Sequence, residues 1–216
     1  MSLTEYEDFV YGACMVNLDD PVAYWLDRKQ EQQRLIDWLK GHDQLQVKGE
    51  NIDLTLSVKG RNFINADGTK NFPDGEIFTS PIEDSVNGWV RFTYPAIYGG
   101  REVDGVELQF ENGKVVHASA KKGEDYLISV LDTDEGALYL GEFAIGTNTG
   151  IQQFTRNILF DEKIGGTVHM ALGGGFPEVG GKNESAVHWD MICDMRSGGQ
   201  IIVDGALFYE NGQFRV

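Results

Sequence analysis

Basic residues are scarce in this chain: 18 Lys and Arg stand against 34 Asp and Glu, a formal net charge of −16. A surface so acidic repels phosphate backbones, which excludes a nucleic-acid partner. Cysteine is rarer still. The two present, Cys14 and Cys193, are too few for a disulfide framework and too far apart for a thiolate metal site, so they read as reduced core residues. No run approaches the roughly 20 apolar residues of a membrane span, and residues 1–9 have neither the basic nor the apolar stretch of a secretory leader. The expectation is a cytoplasmic protein with no membrane partner. Proline, at 5 of 216 residues, leaves no Pro-rich linker to divide the chain. What remains is globular in character: 41% hydrophobic and 11% aromatic content give more apolar surface than a disordered chain carries.

The first 41 residues read as two helices. Thr4 and Glu7 have capping-box spacing, and Tyr6, Phe9, Val10 and Ala13 share a face. Asp20 then caps a second helix with Pro21 at its first position, running to Lys40 with Gly41 just beyond. Its apolar stripe is Val22, Trp25, Leu26, Leu35, Ile36 and Leu39. Beyond it the hydrophobic period changes from 3.6 to 2: Leu45 and Val47, then Ile52, Leu54, Leu56 and Val58, alternate around a turn at Gly49, Glu50 and Asn51. Further strands are predicted over 76–79, 88–94, 103–111, 114–119, 167–172, 186–195, 200–203 and 206–209. Asn112-Gly113 and Asp204-Gly205 mark hairpin turns. A helical interruption over 123–140 is split near Asp132, Thr133 and Asp134, where Thr133 or Asp134 caps its second part. Helices first and hairpins later predict an α+β fold with a mostly antiparallel sheet, residues 1–43 forming a helical lead-in and 44–216 one domain.

Chemistry has few places to reside, because the chain has only four histidines, at 42, 117, 169 and 188. His188 and Asp190 are two apart on a predicted strand, so imidazole and carboxylate leave the same face about 6.5 to 7 Å apart at Cα. Divalent cations would fit between such a pair and partners on neighbouring strands. His169 sits in an apolar strand flanked by glycines, and a buried imidazole needs a partner. Glu76 and Glu142 are acids set among apolar or small residues, where an ordinary surface acid is not expected. Other patterns fail on spacing. Taking Gly68 as position 6 of a calcium loop puts Phe63 at position 1 and Asp74 at position 12, and Gly173-Gly174-Gly175 lacks the Lys-Ser/Thr of a phosphate loop.

These segments in their order, from Asn71 through Glu76 to Pro81, Leu140 to Glu142, Phe160 through His169 to Gly173, and Asn183 through His188 to Asp190, resemble the aminopeptidase T / PepS family of metallo-aminopeptidases. The resemblance runs from about residue 5 to the end. It implies that Glu76, Glu142, His169, His188 and Asp190 hold two divalent cations. Two departures accompany it. Members of that family are about twice this length, so the chain resembles their C-terminal half, and the family has an active-site tyrosine seven residues after the first of the two histidines, where this chain has Phe176.

The reading that follows is a metal-dependent aminopeptidase, or the catalytic half of one, acting on peptides through two divalent ions such as Zn, Co or Mn. Glu162, seven residues before His169, is the expected general base. A homodimer or larger oligomer is expected, with Phe9, Trp25 and Trp38 available for contact between copies. The competing reading is a non-catalytic metal-binding or assembly protein whose turnover is lost with Phe176 and the missing domain.

Overall fold

The structure, a computed structural model, describes residues 2–216. Two helices open the chain, α1 (Leu3–Ala13) and α2 (Pro21–Leu39). The capping box of α1 lies two residues earlier than its sequence suggested: Ser2, in extended conformation, accepts from the Glu5 amide, and the Glu5 side chain accepts from the Ser2 amide, while Thr4 is already helical. Asp20 caps α2 as expected, its carboxylate accepting from the Ala23 amide.

Nine strands follow: β1 (Gln44–Gly49), β2 (Ile52–Ser57), β3 (Ile64–Ala66), β4 (Glu76–Thr79), β5 (Asn87–Arg91), β6 (Ala96–Tyr98), β7 (Arg101–Val103), β8 (Glu107–Glu111) and β9 (Lys114–Ser119). After α3 (Glu124–Leu131) and a 3₁₀ turn capped by Asp134 come β10 (Leu140–Gly146), the short α4 (Ile158–Asp161), β11 (Thr167–Gly173), β12 (His188–Asp194), β13 (Gln200–Val203), β14 (Ala206–Glu210) and β15 (Gln213–Phe214). They form an antiparallel sheet of eight strands, ordered β15-β14-β13-β1-β2-β5-β8-β9, and one of five, ordered β12-β11-β10-β4-β3, with β6 and β7 as a separate ribbon. The fold is α+β with antiparallel pairing, as the change of hydrophobic period implied.

Three expectations are corrected. The strand read over 103–111 is broken, its two ends lying in different sheets, β7 in the ribbon and β8 in the large sheet. No strand is expected between 119 and 167, yet β10 lies there and is the central strand of the five-stranded sheet. And the apolar stripe of α2 divides: Leu35 and Leu39 are buried, but Val22 and Leu26 are 68% and 53% exposed. The C-terminal half of α2 packs on the sheets, while its N-terminal half overhangs a groove shared with Trp25 and Phe72.

One core joins the two sheets. Leu54, Leu56, Val90 and Leu108 of the large sheet and Phe143, Met170, Leu172 and Trp189 of the smaller one belong to the same buried cluster. Burial of this apolar surface supplies the main stabilisation. No helix among the described residues is long and apolar enough to cross a membrane.

Candidate metal centre

Pleating decides which side chains meet. In the five-stranded sheet Ala171 pairs with Glu142 on one side and Asp190 on the other, Gly173 pairs with His188, Ala144 with His169, and Gly146 with Glu76. Residues two apart on a strand share a face. Glu76, Glu142, His169, His188 and Asp190 therefore all leave the same face, and Ile77, Phe143, Met170, Trp189 and Met191 all leave the other, into the core. The alternation expected at His188 and Asp190 thus extends across four adjacent strands.

Local devices hold the alignment. The β10–β11 register shifts between Leu140 and Glu142, which sets Glu142 opposite Ala171. The residue at the shift is Gly141, and a Cβ there would lie 2.2 Å from the Gly174 carbonyl oxygen, so only glycine fits. At the end of β11, Gly173 has φ +102°, which turns the chain away so that the Gly174 carbonyl meets His188 Nδ1 at 2.9 Å. With Nδ1 donating to that carbonyl, Nε2 faces the acids.

The distances are short. Glu142 spans the two imidazoles, Oε1 lying 3.6 Å from His169 Nε2 and Oε2 3.3 Å from His188 Nε2. Glu76 Oε2 is 3.0 Å from His169 Nε2, and Asp190 Oδ1 is 3.7 Å from His188 Nε2. Three overlapping triads each bring one ligand atom per residue within 4.8 Å of one another: Glu76, Glu142 and His169; Glu142, His188 and Asp190; Glu162, His169 and Asp190. All five residues named from the sequence are brought together, and Glu162 joins them. Phe176 stands at the rim, its ring 5.2 Å from that of His188. Glu76, Glu142, Glu162, Phe176, His188 and Asp190 line a cavity of about 410 Å³.

The charges are crowded. Burial opposes a charged His169, but Glu142 and Glu76 beside it hold its pKa well above the usual imidazole range. His188 is likewise opposed by burial yet raised by Glu142 and Asp190 to about 9. Burial would raise Glu142, but the two imidazoles outweigh it and hold the carboxyl low. Asp190 is pushed up by burial and by the charge of Glu142, and Glu162 by burial and by the charge of Glu76.

Sequence reasoning passed over two residues here. Lys163, fully buried, places its ammonium 3.4 Å from Glu76 Oε1 and also in contact with Glu162 Oε1. Burial pulls it down, but the charges of Glu76 and Glu162 prevail and hold it above the ordinary lysine range. Gln32 of α2, also fully buried, has its Nε2 3.2 Å from the Glu76 carbonyl oxygen, 3.1 Å from that of Ala66 and 2.6 Å from Asn65 Oδ1, while Thr147 donates to its Oε1. Nothing local distinguished them. Lys163 stands in an ordinary charged pair, and Gln32 occupies the polar middle of an amphipathic helix.

Comparison with known proteins identifies the family. The profile of the thermophilic metalloprotease (M29) family matches residues 1–214. The chain is 35% identical to aminopeptidase AmpS of Bacillus subtilis (strain 168), over 91% of this chain and 55% of that protein. It is 32% identical to aminopeptidase 2 of Geobacillus stearothermophilus, over 85% and 51%. The solved structure of wild-type AmpT from Thermus thermophilus superposes with a TM-score of 0.80 at 30% identity, covering 91% of this chain and 56% of that one. A 2,5-dihydroxypyridine dioxygenase from Pseudomonas putida KT2440 shares the fold, with a TM-score of 0.70 at 18% identity, over 92% of this chain and 64% of that one. The chain spans about half the length of the curated relatives it matches.

Proposed function

The chain belongs to the thermophilic metalloprotease (M29) family, and from that premise we propose that it is a metal-dependent aminopeptidase, or the catalytic half of one, releasing N-terminal residues from peptides. Its relatives carry aminopeptidase names, which supports the substrate class. In this reading Glu76, Glu142, His169, His188 and Asp190 hold two divalent cations, with Zn, Co and Mn as the ions to try. The observation that carries it is the convergence of three carboxylates and two imidazoles from four adjacent strands on one face of the sheet.

The donor set fits cations. Glu76 Oε2 and Asp190 Oδ1 are buried and make no well-formed hydrogen bond, their nearest polar neighbours being the imidazoles of His169 at 3.0 Å and His188 at 3.7 Å, which would themselves serve as ligands once neutral. Mixed carboxylate and imidazole donors suit borderline divalent ions. Bound cations of this kind polarise a carbonyl and bring the pKa of a water toward neutrality.

The chain's own groups supply the rest. Glu142, reaching both imidazoles, is the carboxylate best placed to serve both ions. His188, tethered through Nδ1 to Gly174, presents Nε2 without a rotational search. Glu162 lines the cavity and brings a carboxylate oxygen within 4.8 Å of ligand atoms of His169 and Asp190, a position that suits a group taking a proton from the nucleophile and returning it to the leaving amine. The free, buried Cys14 and Cys193 suit a reducing compartment such as the cytoplasm.

Purified protein loaded in turn with Zn²⁺, Co²⁺ and Mn²⁺ should release the chromophore from aminoacyl anilides, with metal counted on the same sample. Glu142→Gln should abolish release. Full metal occupancy with no release from any substrate would overturn the peptidase reading in favour of a non-catalytic metal-binding protein.

A further inference from the structure

The metal-site cavity has two unlike walls. Part of its lining is acidic, with Asp67, Asp74, Glu162 and Glu178 beside the acids already described, and Lys70 is the lysine among them. Its other wall is aromatic. Phe78 lies two residues after Glu76 on β4, so its ring leaves the same face as that carboxylate. Its strand neighbours Ile77 and Thr79 are buried, whereas Phe78 is only half-buried, and it lines the cavity. Phe176 comes from the loop after β11 and closes the pair, with ring centroids 5.0 Å apart and planes inclined by 55°.

The placement of Phe176 is built in. Its amide donates to Ser80 Oγ at 3.0 Å, and the buried Ser80 hydroxyl donates to the Gly141 carbonyl at 2.6 Å. The Gly181 amide in turn donates to the Phe176 carbonyl. One fixed ring thus touches Phe78 on one side and His188 on the other. A half-exposed aromatic pair held this firmly beside charged groups is a surface prepared for an apolar ligand group.

We infer that Phe78 and Phe176 form the receptor for the side chain of the substrate's first residue, and that the site selects peptides whose N-terminal residue is large and apolar. The inference rests on the aminopeptidase reading. Its chemistry is complementary: an N-terminal residue carries an ammonium, which Asp74 and Glu178, lining acids not assigned to a cation, attract, and a side chain, which the ring pair covers. An acidic first residue would set its carboxylate among like charges and is rejected. Glycine and alanine leave the rings uncovered. A cavity of about 410 Å³ takes a side chain of the size of leucine or phenylalanine.

The test uses metal-loaded protein and non-hydrolysable aminophosphonic acid analogues of phenylalanine, leucine, glycine and glutamate, with Kd measured by calorimetry. The phenylalanine and leucine analogues should bind at least about tenfold more tightly than the glycine analogue, as expected for several buried methylenes, and the glutamate analogue least tightly. Phe78→Ala and the milder Phe176→Leu should each shrink the leucine-to-glycine ratio. Anilide hydrolysis by the unaltered protein is measured in parallel. Peptide hydrolysis with no preference among the four analogues overturns the inference and leaves the aminopeptidase reading standing. Absence of both hydrolysis and binding overturns the two together. A preference for leucine that survives both substitutions places the receptor elsewhere and overturns it as well.

Discussion

Lys163 Nζ lies 3.4 Å from Glu76 Oε1, on the side of that carboxylate away from His169, which approaches Oε2 at 3.0 Å. One oxygen of Glu76 is thereby committed to a resident ammonium and the other is turned toward the centre. Glu162 is held in the same way through its own Oε1. A lysine without solvent exposure thus orients two acids from beneath.

Lys163→Met keeps the length of the side chain and removes the charge. Losing one partner of a buried ion pair costs about 3 to 5 kcal/mol, because the acids left behind are uncompensated. The melting temperature of the metal-free variant should fall accordingly. Divalent ions would then replace the lost positive charge, so the rise in melting temperature on adding metal should be larger in the variant than in the unaltered chain. Equal rises in the two proteins would show that Lys163 does not share the field of the site.

Protons and metal compete for the same atoms. His169 and His188 have raised pKa values in the folded protein, His188 about 9, against an ordinary imidazole value of about 6.5. A raised pKa means that the stabilisation is fully present below the unfolded value and is lost as pH climbs through the folded one. The melting temperature of chelator-treated protein should therefore decline from about pH 6.5 to about pH 9, while metal-loaded protein should hold level over that interval. Metal binding near pH 7.5 should also release protons, since imidazoles coordinate in the neutral form. Calorimetry in two buffers of different ionisation enthalpy measures that release, and identical heats in both would contradict it.

Phe176→Tyr adds a hydroxyl to a ring that already touches His188. A donor that meets charge developing in the transition state is worth about 10² to 10³ in rate. The variant should gain in kcat with little change in KM, because the bond forms mainly in the transition state. Unchanged kinetics with an unchanged melting temperature would place residue 176 outside the proton and charge chemistry, leaving it a wall of the cavity.

Gln32→Ala removes a buried amide that ties α2 to β3, to the Glu76 carbonyl and to Thr147. Each polar group left unsatisfied costs about 1 to 3 kcal/mol, so the variant should melt lower. Because the backbone of Glu76 loses an anchor, metal affinity measured by calorimetry should weaken together with stability. Weaker stability with an unaltered metal Kd would confine Gln32 to the fold.

The rings expected to meet another copy are engaged within the chain: Phe9 lies 5.2 Å from Phe160, Trp38 stacks on His42 at 4.4 Å and Phe208 at 5.0 Å, and the Trp25 indole donates to the Cys14 carbonyl. The most exposed apolar side chains of the lead-in are instead Leu3, Val22 and Leu26. Helical periodicity identifies which residues share a face, and it is silent on which part of that face another element covers.

The sequence by itself determined the local features. Asp20 with Pro21, and Asn112 with Gly113, fix a helix start and a turn through short-range hydrogen bonding and backbone preference, and both stand in the structure as read. The spacing of His188 and Asp190 put them on one face because strand geometry alone requires it. Tertiary structure decided what those faces meet. β10 was hidden because all seven of its residues are buried, the site covering one face and the core the other, so no alternation of polar and apolar residues survives to be read. Lys163 and Gln32 look like surface residues in the sequence, and they become central only because the four strands and α2 enclose them. Which polar residues are enclosed depends on contacts between segments more than a hundred residues apart, such as Gln32 with Thr147, and no local pattern encodes such a pairing.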